Sequence, residues 1–262
     1  MPHPTSYFKF FTTVASRYFI IAGLAWFVWY IIFKKSKGFK KIQAKFPTNK
    51  DYKREISYSI VTMFIFAAVP ALILLTSFRQ YTQYYTDIHQ HGMLWFWIAF
   101  PIMFVIHDTY FYWTHRAMHH PKLFKILHLV HHKSTNPSPW AAYAFHPLEA
   151  FVEAGVFIVF VMIMPVQTLH LFIFFFLMIV YNVYGHLGWE LYPKNFNKSF
   201  IGRWVNTSVN HNQHHQFFKG NYGLYFLWWD RWMHTLREDY DKSFEEVKTR
   251  KPSTIEQPAA NH

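Results

Sequence analysis

Five apolar runs divide the chain. They extend from Tyr18 to Phe33, Ser57 to Phe78, Met93 to about Ile106, Leu148 to Met164 and Leu169 to Tyr184. The third continues as a semi-polar helix from His107 to His119, and its membrane portion is taken as 93–114. An upright helix needs about 20 apolar residues to cross a bilayer, and the first two runs approach that length. The last two are shorter and are separated only by Pro165-Val166-Gln167-Thr168, which predicts a hairpin that crosses fully or dips in. The first run has no small-residue cleavage site after it and reads as an anchor, not a removed signal. The tail, 243–262, is polar without an apolar period and is expected to fray.

The polar stretches between the runs set a sidedness. Lys34 to Arg54 holds nine Lys/Arg and one Asp, whereas Arg79 to His91 holds one Arg and one Asp. Loops rich in Lys/Arg stay on the cytoplasmic side, so the third run returns inward. His107 to His132, His186 and the C-terminal part then fall on the cytoplasmic face. Tryptophans 26, 29, 95, 97, 113, 228, 229 and 232 suit the headgroup level. Core packing accounts for several of them equally well.

Composition sharpens this picture. The 262 residues are 52% hydrophobic and only 15% charged, against about 25% charged in soluble domains. The net charge of +12 would suit nucleic acid, but the basic residues cluster beside apolar segments, as on a membrane face. The chain has no cysteine, which removes disulfides, thiolate haem and Cys-ligated iron–sulfur clusters.

Histidine carries the chemistry. Thirteen of the 18 histidines lie between His107 and His215. They form three clusters: His115, His119 and His120; His128, His131 and His132; and His211, His214 and His215. Spacings of three and four residues share a helix face, so each cluster can aim two or three imidazoles at a common point. Imidazole does not choose among Zn, Cu, Fe and Ni. Nine or ten imidazoles, counting His186, exceed the four ligands of one zinc and suit two ions. A histidine-rich surface patch is the bland alternative, but the repeated H-x-x-H-H pattern argues against it.

These boxes resemble those of the fatty acid hydroxylase / sterol desaturase superfamily. The run His107-Asp-Thr-Tyr-Phe-Tyr-Trp-Thr-His115-Arg looks like its first box. Ser138-Pro-Trp-Ala-Ala-Tyr-Ala-Phe-His146-Pro-Leu-Glu149, Gly185-His186-Leu-Gly-Trp-Glu190, His211-Asn-Gln-His214-His215 and Trp229-Asp230-Arg231 resemble its later elements. The likeness covers about Met93 to Leu236; His234 departs from it near the closing element and leaves the boxes intact.

The resemblance implies an all-α integral membrane bundle of about four to five membrane helices with a cytoplasmic histidine-rich di-metal cap. Residues 1–242 would form one membrane catalytic domain. It implies two non-haem iron ions, O2 as co-substrate and a lipid C–H bond as target, giving hydroxylation or desaturation. Ligand roles fall to His115, His119, His128, His131, His132, His186, His211, His214 and His215, with His107, His120 and His146 as second choices. His120 could bind in place of His119. His170, mid-hairpin, reads as packing. Metal-bound imidazoles usually donate their second N–H to a carboxylate or carbonyl. Asp108 and Glu190 are the first candidates for that role, followed by Glu149, Glu153 and Asp230. Pairing with Arg116, Arg203 or Arg231 is their alternative.

No flavin, haem or ferredoxin module fits in the chain, so electrons come from a partner. A cytochrome b5-like or ferredoxin-like carrier would dock near Lys122, Lys125 and Lys133. A membrane metal transporter or haem carrier is the competing class; transporters place ionisable residues near the midplane, whereas these histidines sit at or beyond helix ends. A zinc hydrolase would lack its HExxH motif.

Overall fold

The structure is a computed structural model that describes residues 4–252. Eleven α-helices are found among them: α1 Pro4–Trp26, α2 Lys34–Lys37, α3 Asn49–Leu74, α4 Gly92–Met118, α5 Pro121–Leu127, α6 Leu129–His132, α7 Pro147–Ile163, α8 Thr168–Gly185, α9 Ser208–Phe217, α10 Trp228–Trp232 and α11 Tyr240–Thr249. Two two-residue strands, β1 Tyr84–Tyr85 and β2 Val166–Gln167, pair in parallel, with Tyr84 opposite Val166.

Among the described residues, four helices are long and apolar enough to cross a membrane: Tyr7–Ile32, Asn49–Leu74, Gly92–Met118 and Thr168–Gly185. The first joins α1 to a π-helical turn at Phe27–Ile32. Their exposed faces are apolar, with Leu24, Phe64, Leu94, Trp97 and Phe172 each at least 48% exposed. Such surface is what a lipid solvent requires.

Helix boundaries depart from the apolar runs where polar residues are helical. The helix expected to begin at Ser57 begins at Asn49, because Thr48 and Asp51 form a capping box there. It ends at Leu74, and a 3-10 turn takes Ser77–Tyr81. Likewise α1 starts some fourteen residues before Tyr18.

The hairpin α7–α8 reaches the far end of the bundle. α7, at 17 residues, is about 26 Å long, a little short of the hydrocarbon thickness. Its turn nevertheless lies against the loop between α3 and α4, since β2 pairs with β1. Gln83 N donates to Val161 O at 2.7 Å and Trp95 Nε1 to Pro165 O at 2.9 Å. His170 closes this corner, its Nδ1 accepting from Gln167 N and its Nε2–H donating to Phe96 O. Gly155 lets α7 approach α4: a Cβ there would sit 2.3 Å from the Tyr110 hydroxyl, which donates to Val152 O.

The core sits where the segment linking α6 to α7 is drawn between the long helices. Tyr18 and Ser59 hydroxyls both donate to Trp140 O, and Asn182 Nδ2 donates to Ala142 O. Tyr18, Met63, Tyr143, Ile179 and Tyr225 pack around it. The basic stretch 34–54 is not wholly solvated. Lys41 is fully buried, its Nζ donating to Asn136 Oδ1 at 2.7 Å, and burial lowers its pKa to about 7.

The fraying expected for the tail is corrected over its first part. Tyr240, Phe244 and Val247, at i, i+4 and i+7, form one apolar stripe that α11 buries against Val209 and Leu227. A three-residue stripe is too short to register as a period. The remainder of the tail from residue 253 lies outside the described residues.

Candidate metal centre

Nine histidines converge beyond the ends of α4 and α8. They form two groups: His115, His119, His128, His132 and His214 in one, and His131, His186, His211 and His215 in the other. Within each group the nearest ring nitrogens all lie within 4.8 Å of one another, and both groups offer enough nitrogens to hold a metal ion.

The clusters do not each aim at one point. His128 and His132 face the first group while His131 between them faces the second; His211 and His215 face the second while His214 faces the first. The cause is helical geometry: residues four apart share a face, and their neighbour is turned about 100° away. Each H-x-x-H-H segment thus feeds both centres. His115 and His119, also four apart, feed only the first.

Tautomers are fixed from behind. Nδ1 of His115 donates to Tyr222 O at 2.9 Å, that of His186 to Asn182 O at 2.8 Å and that of His214 to Gly220 O at 2.8 Å. His128 Nδ1 lies 2.6 Å from Glu149 Oε1. A carbonyl can only accept, so Nδ1 of His115, His186 and His214 carries the proton and their Nε2 offers a lone pair. Those lone pairs point into the groups: His115 Nε2 is 2.9 Å from His128 Nε2, and His186 Nε2 is 3.1 Å from His211 Nε2. His214 Nε2 is buried without a partner. In the first group the lone pairs of His115 and His214 both face inward among ring nitrogens that lie within 4.8 Å of one another, an arrangement that a cation among them would relieve. The donor set therefore fits metal ions.

Burial, then the charge of neighbouring rings, holds His128, His131, His132, His211, His214 and His215 well below the usual histidine pKa. His119 is lowered to about 2 and His186 to about 4, in both chiefly by burial. At neutral pH the rings are uncharged, the form that ligates metal.

Other expected residues are placed elsewhere. His120 is exposed, its Nδ1 accepting from Lys122 N at the start of α5. His146 caps α7 by accepting from Leu148 N. His107 is buried but belongs to neither group; its Nδ1 lies 3.0 Å from the Tyr225 hydroxyl. Asp108 and Glu190 do not reach a histidine ring. Asp108 accepts from Tyr225 N and Phe226 N, and Asp230 from Tyr222 N and Gly223 N. Together they pin the loop whose Tyr222 carbonyl holds His115. Glu190, with a pKa raised by burial, accepts from Tyr184 Oη, Tyr192 N and Val209 N, fixing the first turn of α9. The carboxylate that touches a ring is Glu149. The 21-residue separation from His128 hides that pairing, although a buried Glu opening an apolar helix is a readable signal.

A cavity of about 430 Å³ approaches the centre from the far end of the bundle. It begins among Leu74, Leu75, Tyr84 and Thr168 and ends at Phe111 and Phe145. Phe111 packs on His115 with centroids 4.9 Å apart, and Phe145 on His131 at 5.0 Å. One phenyl ring thus separates the cavity from each histidine group.

Apolar helices enclosing a cavity that ends one phenyl ring short of two interleaved histidine groups define a class: a multi-pass membrane protein with a polyhistidine two-centre site. The fatty acid hydroxylase family model matches residues 100–235, and the chain belongs to that family. Among curated relatives, a Delta(7)-sterol 5(6)-desaturase of Gibberella zeae is 34% identical over 187 residues, 69% of this chain and 55% of that protein. A second, from Aspergillus fumigatus, is 33% identical over 233 residues, 88% of this chain and 60% of the relative. Lathosterol oxidase of Homo sapiens is 27% identical over 181 residues, 68% of this chain and 59% of the relative. The chain thus spans under two thirds of the length of these relatives. No solved structure matches it.

Proposed function

We propose that this chain is an O2-dependent oxidoreductase that hydroxylates or desaturates a membrane lipid, a sterol in the reading its relatives favour. The observation that carries the proposal is the pair of interleaved histidine groups one phenyl ring away from a largely apolar cavity. Iron is the proposed metal, one ion for each group, with the nine histidines as ligands. When bound, the pair of ions supplies O2 activation strong enough to attack an unactivated C–H bond.

The chain's own residues do the rest. Tyr222 O, Asn182 O, Gly220 O and Glu149 hold Nδ1 protons and so keep Nε2 turned toward the centres. Phe111 and Phe145 exclude water where the lipid meets the histidines. Hydroxylation and desaturation would differ in how these rings place a second C–H bond. Cytoplasmic placement of the site rests on the nine basic residues of 34–54. The exposed Lys122, Lys125 and Lys133 beside the centre suit an acidic electron carrier, cytochrome b5-like or ferredoxin-like, by charge complementarity.

The first test is metal content of detergent-purified protein beside a His131→Ala, His214→Ala variant, which removes one ring from each group. About two irons per chain, the number two such groups call for, should fall sharply in the variant. A single zinc, a haem band, or metal indifferent to the variant would overturn the proposal.

A further inference from the structure

Glu153 and His107 are among the polar side chains of the cavity that the metal centre does not use. Glu153 lies on α7 one turn beyond Glu149 and lines the cavity together with His107. Neither carboxylate oxygen of Glu153 has a hydrogen-bond or ion-pair partner among the described residues. The nearby Tyr110 hydroxyl is engaged by Val152 O. His107 uses Nδ1 on Tyr225 and leaves Nε2 without a protein partner. The same cavity is lined by the apolar Phe111, Phe145, Phe157 and Leu224, and also by Lys9, Thr13 and Arg17. Buried polar groups are almost always satisfied. A carboxyl and an imidazole nitrogen that line one cavity without a protein partner are accounted for when the ligand brings the partner.

The ligand group follows from the pair. A carboxyl and an imidazole can each donate or accept according to protonation, and an alcohol does both at once. An acyl tail would offer neither nitrogen nor carboxyl anything, and an acidic headgroup, which Lys9 and Arg17 on the same cavity would suit, would meet a second acid at Glu153. Position adds a constraint. Glu153 stands one helical turn, about 5.4 Å, from the Glu149 that holds His128. A hydroxyl anchored at Glu153 would therefore lie only a few bonds from the carbon presented to the metal centre.

We propose that Glu153, with His107, is the hydroxyl anchor of the substrate cavity, selecting a lipid alcohol oxidised a few bonds from its hydroxyl, as on a fused ring and not far along a chain. This rests on the lipid-oxidising reading above and deepens it. Glu153 is a positioning residue in this account and touches no reacting atom.

The test is equilibrium binding to the full chain in detergent, with four probes: lathosterol, the same ring system lacking the hydroxyl, 1-hexadecanol and hexadecane. The parent should prefer lathosterol over its deoxy analogue by about tenfold or more, as one well-placed hydrogen bond gives. Glu153→Gln should keep most of that preference and Glu153→Leu should abolish it, with metal content unchanged in both. Equal binding of lathosterol and its deoxy analogue by the parent, or a preference that survives Glu153→Leu, overturns the anchor. A Glu153-dependent preference for hexadecanol without lathosterol binding sinks the sterol reading and leaves the anchor standing. Binding of none of the four sinks both.

Discussion

Glu149 shows how much one side chain can decide at this centre. It is fully buried at the head of α7, and its Oε1 lies against the Nδ1 of an equally buried His128. Carboxylates behind a ligating histidine fix its tautomer and raise its basicity, and their loss typically weakens metal binding 10- to 100-fold. Glu149→Leu should weaken metal binding at the five-histidine group by about that factor. Glu149→Gln, whose amide oxygen still accepts, should lose less; titration of metal-free protein with iron or a surrogate ion measures both. The histidines themselves were legible in the sequence, because their spacing repeats. Their backing acceptors were not: three of the four identified are carbonyls of Tyr222, Asn182 and Gly220, and a carbonyl leaves no mark in a sequence. Asp108 and Glu190 stand out along the chain because they neighbour His107 and follow His186, yet they bind backbone N–H groups. Their effect on the rings passes through the segments they hold.

At the scale of elements, apolar runs located every long helix, because a lipid-facing helix is apolar on most of its surface. Ends were less visible. The first two turns of α3 are Asn-Lys-Asp-Tyr-Lys-Arg-Glu, which read as loop although the capping box at Thr48 starts a helix. Depth of the α7–α8 hairpin was open in the sequence, since pairing of β1 with β2 joins residues some eighty positions apart. Close packing of α7 on α4 depends on Gly155. Gly155→Ala should push the Tyr110 ring away and break its bond to Val152 O, costing about 1–3 kcal/mol as overpacking does. The same substitution in a Tyr110→Phe background should cost less, because the atom it strikes is gone. Thermal unfolding of the two pairs in detergent gives the comparison.

For the whole molecule the gathering of uncharged histidines makes stability depend on acidity. His128, His131, His132, His211, His214 and His215 have folded pKa values well below the ordinary 6.5. Below pH 6.5 the unfolded chain therefore binds more protons than the folded one, so their contribution is fully present above that pH. It is lost as pH falls toward the folded values, of which His186 gives about 4. The melting temperature of metal-free protein should decline from pH 6.5 downward, and bound metal should move the onset lower, since ions and protons compete for the same Nε2 atoms. A melting temperature indifferent to pH between 6.5 and 4, with or without metal, would show that the rings are not buried uncharged.

The alternation of His131 with His132 and of His214 with His215 between the two groups makes the polypeptide a ruler. Adjacent α-carbons are 3.8 Å apart, and no hinge fits between them. The two centres cannot be drawn apart by a domain motion, as they could if each belonged to its own helix. Their separation is a covalent property of the chain, set at translation. Whatever the two centres hold between them must adapt to that fixed gauge.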